Sequence, residues 1–121
     1  MKVLFKTESF SFEVVLNDSL TAWEIFDNLP IKSVVSTWGD EIYFDIGFKA
    51  SAHNSTMDIS CQDVAYWPQG KCLCVFFGPT PASTGPIPVP ASPVVVVGKA
   101  TALPQDLRKI KLGEKISIEK I

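Results

Sequence analysis

Apolar residues return at every second position in stretch after stretch of this chain, and that periodicity constrains the fold more than any other feature. In Phe10-Ser11-Phe12-Glu13-Val14-Val15-Leu16, the residues Phe10, Phe12, Val14 and Leu16 share one face, because successive side chains of a strand point to opposite sides. Glu41-Ile42-Tyr43-Phe44-Asp45-Ile46 repeats the pattern with Ile42, Phe44 and Ile46 inward. Lys115-Ile116-Ser117-Ile118-Glu119 does so again near the end. Val3 and Phe5 predict a first strand, paired with residues 10–16 through a turn near Thr7 to Ser9.

A single segment reads as a substantial helix. Leu20, Trp23, Phe26 (or its neighbour Ile25) and Leu29 recur at helical spacing, and Pro30 ends the run. Asn17-Asp18-Ser19 supplies cap candidates, while Thr21-Ala22-Trp23-Glu24 matches a capping box. A shorter helical turn starts at Pro104 and covers Gln105 to Lys109, with proline at a first helical position.

Residues 78–93, GPTPASTGPIPVPASP, carry six prolines and resemble a linker. The remainder from Val94 is too short to bury a core of its own. The strand Val94–Val97 must therefore return to the same sheet, which makes residues 1–121 a single domain and the proline-rich stretch a long internal loop. The expected fold is mainly β, with seven or eight short strands. Closing so many half-buried strands into a barrel removes exposed edges, and the two helices plug its open ends.

Charge and cysteine content narrow the function classes. With 11 basic against 13 acidic residues and no basic stripe, nucleic acid is not an expected partner. The apolar runs CLCVFFG and PVVVVG are far below membrane-spanning length, so no membrane association is expected. The start, MKVLFKTES, lacks a signal-peptide core. Three cysteines, an odd number, read as free thiols in a cytoplasmic protein. No cofactor motif is found: neither a GxSxG elbow nor a glycine-rich phosphate loop is present.

Cys72-Leu73-Cys74 sets two thiols on one strand face roughly 7 Å apart. Cys61 and His53 complete a possible zinc set, but the close pairs of structural sites are missing. The cysteines read instead as small buried hydrophobes, and His53, in SAHNSTMD, as a solvated loop residue rather than a catalytic base. Asp40, Glu41 and Asp45 form a carboxylate cluster suited in principle to acid–base work; the simpler expectation is the wet side of an amphipathic strand. Cys72–Phe77 is apolar on both faces. Such a strand is either covered from outside, for which the proline-rich loop is available, or it floors a groove. The PxxP segment Pro90-Ala91-Ser92-Pro93 lacks a flanking arginine and reads as a rigid loop rather than a ligand for another domain.

Four stretches taken together carry a family resemblance: Ser36-Thr37-Trp38-Gly39-Asp40-Glu41-Ile42-Tyr43-Phe44, Asp63-Val64-Ala65-Tyr66-Trp67-Pro68-Gln69-Gly70-Lys71, Leu73-Cys74-Val75-Phe76-Phe77-Gly78-Pro79-Thr80-Pro81 and Ala91-Ser92-Pro93-Val94. In this order they resemble the small stand-alone cyclophilin-like domain proteins of archaea and bacteria. The resemblance implies a closed eight-stranded antiparallel barrel with a helix capping each end, and a link to peptidyl-prolyl isomerases. The isomerase chemistry does not follow from it. The F-H-R-V-I type strand with its arginine is absent, the aligned strand reads Trp-Gly-Asp-Glu-Ile-Tyr-Phe, and the single arginine is Arg108 in the short helix.

The leading expectation is a binding module for a small molecule or a proline-containing peptide. Trp38, Tyr43, Tyr66, Trp67 and Phe77 would line its groove, with Glu41, Thr80 and Ser83 as polar contacts. Two alternatives stand beside it. One is a divergent prolyl isomerase using Lys71 or Arg108; the other is a subunit whose aromatics form an oligomer interface.

Overall fold

The computed structural model describes all 121 residues. The alternating segments become β1 (Lys2–Thr7), β2 (Ser11–Leu16), β3 (Ile31–Val34), β4 (Ser36–Thr37), β5 (Glu41–Asp45), β6 (Asp63–Trp67), β7 (Cys72–Phe76), β8 (Val95–Ala100) and β9 (Lys115–Lys120). They form one sheet in the order β3-β9-β1-β2-β8-β6-β7-β5-β4, and every strand pair is antiparallel. Only buried Val35 separates β3 from β4. The segment Ile31–Thr37 therefore pairs with β9 at one end and with β5 at the other, and the barrel closes. Nine strands by hydrogen bonding become the expected eight when β3 and β4 are counted as one bent strand.

Two small helices, α1 (Leu20–Asp27) and α2 (Pro104–Leu107), follow β2 and β8. Because β2 and β8 run antiparallel, the helices leave from opposite ends of the barrel. Ala22 and Ile25 of α1 and Leu107 of α2 enter the same core cluster as Phe5, Phe44 and Ile118.

The helix start differs from the capping-box reading. Ser19 is the N-cap, its hydroxyl accepting from the Ala22 N–H at 3.1 Å. Thr21 and Glu24 are recruited elsewhere: the Thr21 hydroxyl donates to the Ser51 carbonyl at 2.5 Å, and the Glu24 carboxylate accepts from the Ser51 N–H and hydroxyl. The helical stripe is likewise rotated. Leu20 and Trp23 are exposed, and it is Thr21, Ala22 and Ile25 that face the core. Tertiary packing has overridden a periodicity that a helix this short specifies weakly.

Period two is obeyed strictly inside the barrel. Val3, Phe5, Phe12, Val14, Ile42, Phe44, Leu73, Val75, Ile116 and Ile118 all point inward and are buried. Outside it, β7 carries a second face that is also dry. Cys74 and Phe76 join Ala65, Ile59 and Val94 in a smaller cluster against Tyr43 and Trp67. The cover comes from two loop segments that meet through paired backbone bonds between Thr56 and Val94.

A buried carboxylate ties two turns together. Glu114 accepts from the Ser9 N–H at 2.7 Å, the Ser9 hydroxyl at 2.8 Å and the Lys111 N–H at 2.5 Å. Burial alone would raise its pKa, but these donors outweigh burial and hold it below the ordinary carboxylate range. Glu114→Gln is therefore predicted to cost about 1–3 kcal/mol at pH 7. A depressed carboxyl stabilises the fold above its unfolded pKa and loses that contribution as pH falls through the folded one. The gap between parent and variant in urea denaturation should accordingly close toward pH 3; a gap independent of pH would refute the role.

Candidate functional site

Strand register assembles the site. Trp38-Gly39-Asp40 connects β4 to β5, and Gly39-Asp40 makes the turn, with the positive φ at Gly39 (61°) that tight hairpins use. The Trp38 N–H donates to the Glu41 carbonyl at 3.0 Å, so Trp38 and Glu41 lie opposite one another. Across the next ladder Glu41 faces Phe76 and Tyr43 faces Cys74; beyond it Trp67 faces Cys72. Trp38, Glu41, Tyr43, Cys74, Phe76 and Trp67 consequently share the outer surface of the barrel wall.

Two glycines lock the hairpin in place. A Cβ at Gly39 would lie 2.9 Å from the Thr80 Cα, and one at Gly78 would lie 2.3 Å from an Asp40 carboxylate oxygen. Asp40 is held there by Arg108 at 2.9 Å, whose guanidinium also lies over the Phe77 ring at 5.9 Å. Trp67 is fixed equally firmly. Its ring rests on Gly70, where a Cβ would come within 2.4 Å. It meets Tyr43 edge to face at 6.3 Å and donates from Nε1 to the Ser92 hydroxyl at 2.6 Å. Ser92 in turn donates to Gln69 at 3.1 Å, which latches the proline-rich loop to the barrel.

The result is a half-open cavity of about 180 Å³. Trp38, Tyr43 and Trp67 form its aromatic walls, Cys74 and Phe76 its floor, and Pro90, Ala91 and Val94 its loop side. Glu41, only 5% exposed, is the single charged residue of the lining. Desolvation pushes its carboxyl up to about 7, against a smaller opposing pull from the Cys74 thiol beside it. The expectation of a wet, amphipathic β5 is thus corrected: Asp45 is exposed, but Glu41 is buried and Tyr43 half-buried.

The remaining candidates are placed elsewhere. Tyr66 points into the barrel core, where its hydroxyl accepts from the Ala50 N–H at 3.0 Å. Phe77 also belongs to that core. Thr80 and Ser83 bond to each other and to the loop carbonyls of Val89 and Ile87. Neither Lys71, at the β6–β7 turn, nor Arg108 lines the cavity. His53 is exposed in its loop, and no three His, Cys, Asp or Glu side chains converge as metal ligands. Sequence reasoning missed Cys74, Phe76, Pro90, Ala91 and Val94. The two-sided apolar character of Cys72–Phe77 was the signal for the first two.

The chain belongs to the cyclophilin-like family, whose pattern it matches over residues 1–119. Among solved structures it is similar to the solution structure of the hypothetical protein AF2241 from Archaeoglobus fulgidus. The two share 37% identity over 100% of this chain and 95% of that one, with a TM-score of 0.85. It is also similar in fold to McbB, solved in complex with tryptophan, at 15% identity and a TM-score of 0.62. That match covers 98% of this chain and 44% of McbB. No curated protein matches. No helix is long and apolar enough to cross a membrane.

Two measurements check the electrostatics of the site. A carboxyl whose folded pKa is raised binds its proton more tightly in the folded state, so its contribution to stability falls as pH rises from about 4.5 to about 7. Glu41→Gln should therefore match the parent near pH 4 and exceed its stability by up to about 3 kcal/mol at pH 8; equal stability at both ends would contradict the burial argument. Cys72 and Cys74 are buried whereas Cys61 is partly exposed, and burial raises the Cys72 thiol to about 11. Brief alkylation of the native protein is expected to label Cys61 alone by mass spectrometry.

Proposed function

We propose that this cyclophilin-like domain is a binding module for a small molecule held in the cavity between β5, β6, β7 and the proline-rich loop. The observation that carries the reading is three aromatic walls closing on one buried carboxylate. Aromatic and apolar surface supplies affinity, and a single polar group fixes orientation. Its size is close to that of the ~150 Å³ apolar cavity known to admit benzene, which suits one ring or one compact branched head rather than a length of peptide. The three free thiols support a reducing, cytoplasmic setting.

Prolyl isomerisation is disfavoured on chemical grounds. The barrier of roughly 18–20 kcal/mol comes from amide conjugation, and a cation near the prolyl nitrogen is the means of breaking it. The cavity contains a carboxylate and no cation. A subunit role draws on a different observation, the exposed Leu20 and Trp23 of α1. A strict monomer by light scattering would remove that support.

Titration with a panel of ring-sized and branched compounds, followed by tryptophan fluorescence, tests the binding reading. Binders are expected to perturb emission from Trp38 and Trp67. Ala91→Trp, at an exposed rim position, should abolish the response without changing the melting temperature. A panel without any binder at millimolar concentration would sink the proposal. In a protease-coupled proline-peptide assay, micromolar protein is expected to give no acceleration.

A further inference from the structure

The lining of the cavity has a composition that narrows its occupant. It brings together Trp38, Tyr43 and Trp67, one carboxylate, and no lysine, arginine or histidine. Such a set suits positive charge twice over: the carboxylate attracts it directly, and the negative faces of aromatic rings attract it through their quadrupoles. Three kinds of cation differ in what else they demand. A metal ion needs several oxygen, nitrogen or sulfur ligands, and no such group converges here. A primary ammonium presents three donors that each need an acceptor, and Glu41 is the one charged acceptor in a lining that is otherwise mostly apolar. An alkylated ammonium carries its charge behind methyl or methylene groups, has few or no N–H donors, and is satisfied by rings and a single carboxylate.

Resting on the binding reading above, we propose that the occupant is a small organic cation whose alkylated ammonium head sits among Trp38, Tyr43 and Trp67 against Glu41.

The ionisation behaviour of the site supplies a signature for this ligand. Burial pushes the Glu41 carboxyl up to about 7. The titratable groups facing it are Cys74 and Cys72 from β7 and the Tyr43 phenol from β5; the loop side contributes Pro90, Ala91 and Val94, which carry none. Burial raises both thiols, so they remain neutral through the range in question. A bound cation favours ionised Glu41 and expels its proton. Affinity for a cation must then rise with pH, approaching about tenfold per unit below 7 and levelling above it. A neutral ligand that receives a hydrogen bond from protonated Glu41 gives the opposite slope.

The test uses three probes on the intact protein: choline, dimethylbutanol as its uncharged carbon isostere, and indole as a neutral ring. Calorimetric titration at pH 6 and pH 8 is expected to show choline binding at least tenfold more tightly than dimethylbutanol at pH 8. The preference should shrink at pH 6, and in Glu41→Gln, whose fold is verified by its melting curve, it should be smaller and the same at both pH values. If dimethylbutanol or indole binds as well as choline, the cation assignment falls while the cavity remains a binding site. If none of the three binds, the cation assignment falls, and failure of the wider fragment panel then removes the binding reading too.

Discussion

Ring closure through Val35 is the constraint on which everything else in this protein depends. A sheet has two edges, and each exposes unpaired backbone groups that invite association with another chain. Here the stretch from Ile31 to Thr37 is both edges at once, bonded to β9 on one side and to β5 on the other. Once that segment is shared, β5 can occupy only one place, and its register against β7 follows. Glu41 then falls opposite Phe76 and Tyr43 opposite Cys74. The site is a consequence of how the barrel shuts.

Strands that close a barrel need only one apolar face, yet β7 has two. Its inward residues fill the barrel, and its outward ones seed a second, smaller cluster under the loops. This external cluster excludes water from the outer surface of three neighbouring strands. A carboxylate standing there loses hydration without gaining an ion pair, a local violation of good packing that proteins retain chiefly where function requires it. The nearby Asp40 shows the contrast: one residue earlier on the chain, it faces Arg108 and is neutralised by it.

Most of the fold was legible because period two is a local signal that survives in a closed barrel. Phe12, Val14, Ile42, Phe44, Ile116 and Ile118 declared their direction unaided. The helix did not, since α1 spans only Leu20–Asp27 and Ser51 captures the side chains that would have capped it. At the site, Trp38, Glu41, Tyr43 and Trp67 were readable from the strands that hold them, whereas Tyr66 and Phe77 were assigned to a groove although their positions direct them into the barrel. Parity within the strand was the available clue: Tyr66 pairs with inward Leu73, and Phe77 alternates with Phe76. Pro90, Ala91 and Val94 were illegible for a different reason. Their place depends on the Thr56–Val94 pairing, a contact between distant loops that no local pattern encodes.

The proline-rich loop is fastened at its start, where the Asp40 N–H donates to the Pro79 carbonyl at 3.0 Å, and again at its neck and far limb. Its neck is drawn shut where the Thr80 hydroxyl donates to the Val89 carbonyl, and its far limb is latched where Trp67 donates to Ser92. Between them, Thr84 to Ile87 lie in solvent and touch nothing in the barrel that determines their length. The cavity wall and the loop tip are therefore mechanically separate. Evolution, or an engineer, is free to lengthen the tip or replace it with a foreign epitope, with the neck and latch still presenting the same wall to the same rings. The exposed tip from Thr84 to Ile87 is thus the place in this fold where an insertion is expected to cost least, beside the cavity without lining it.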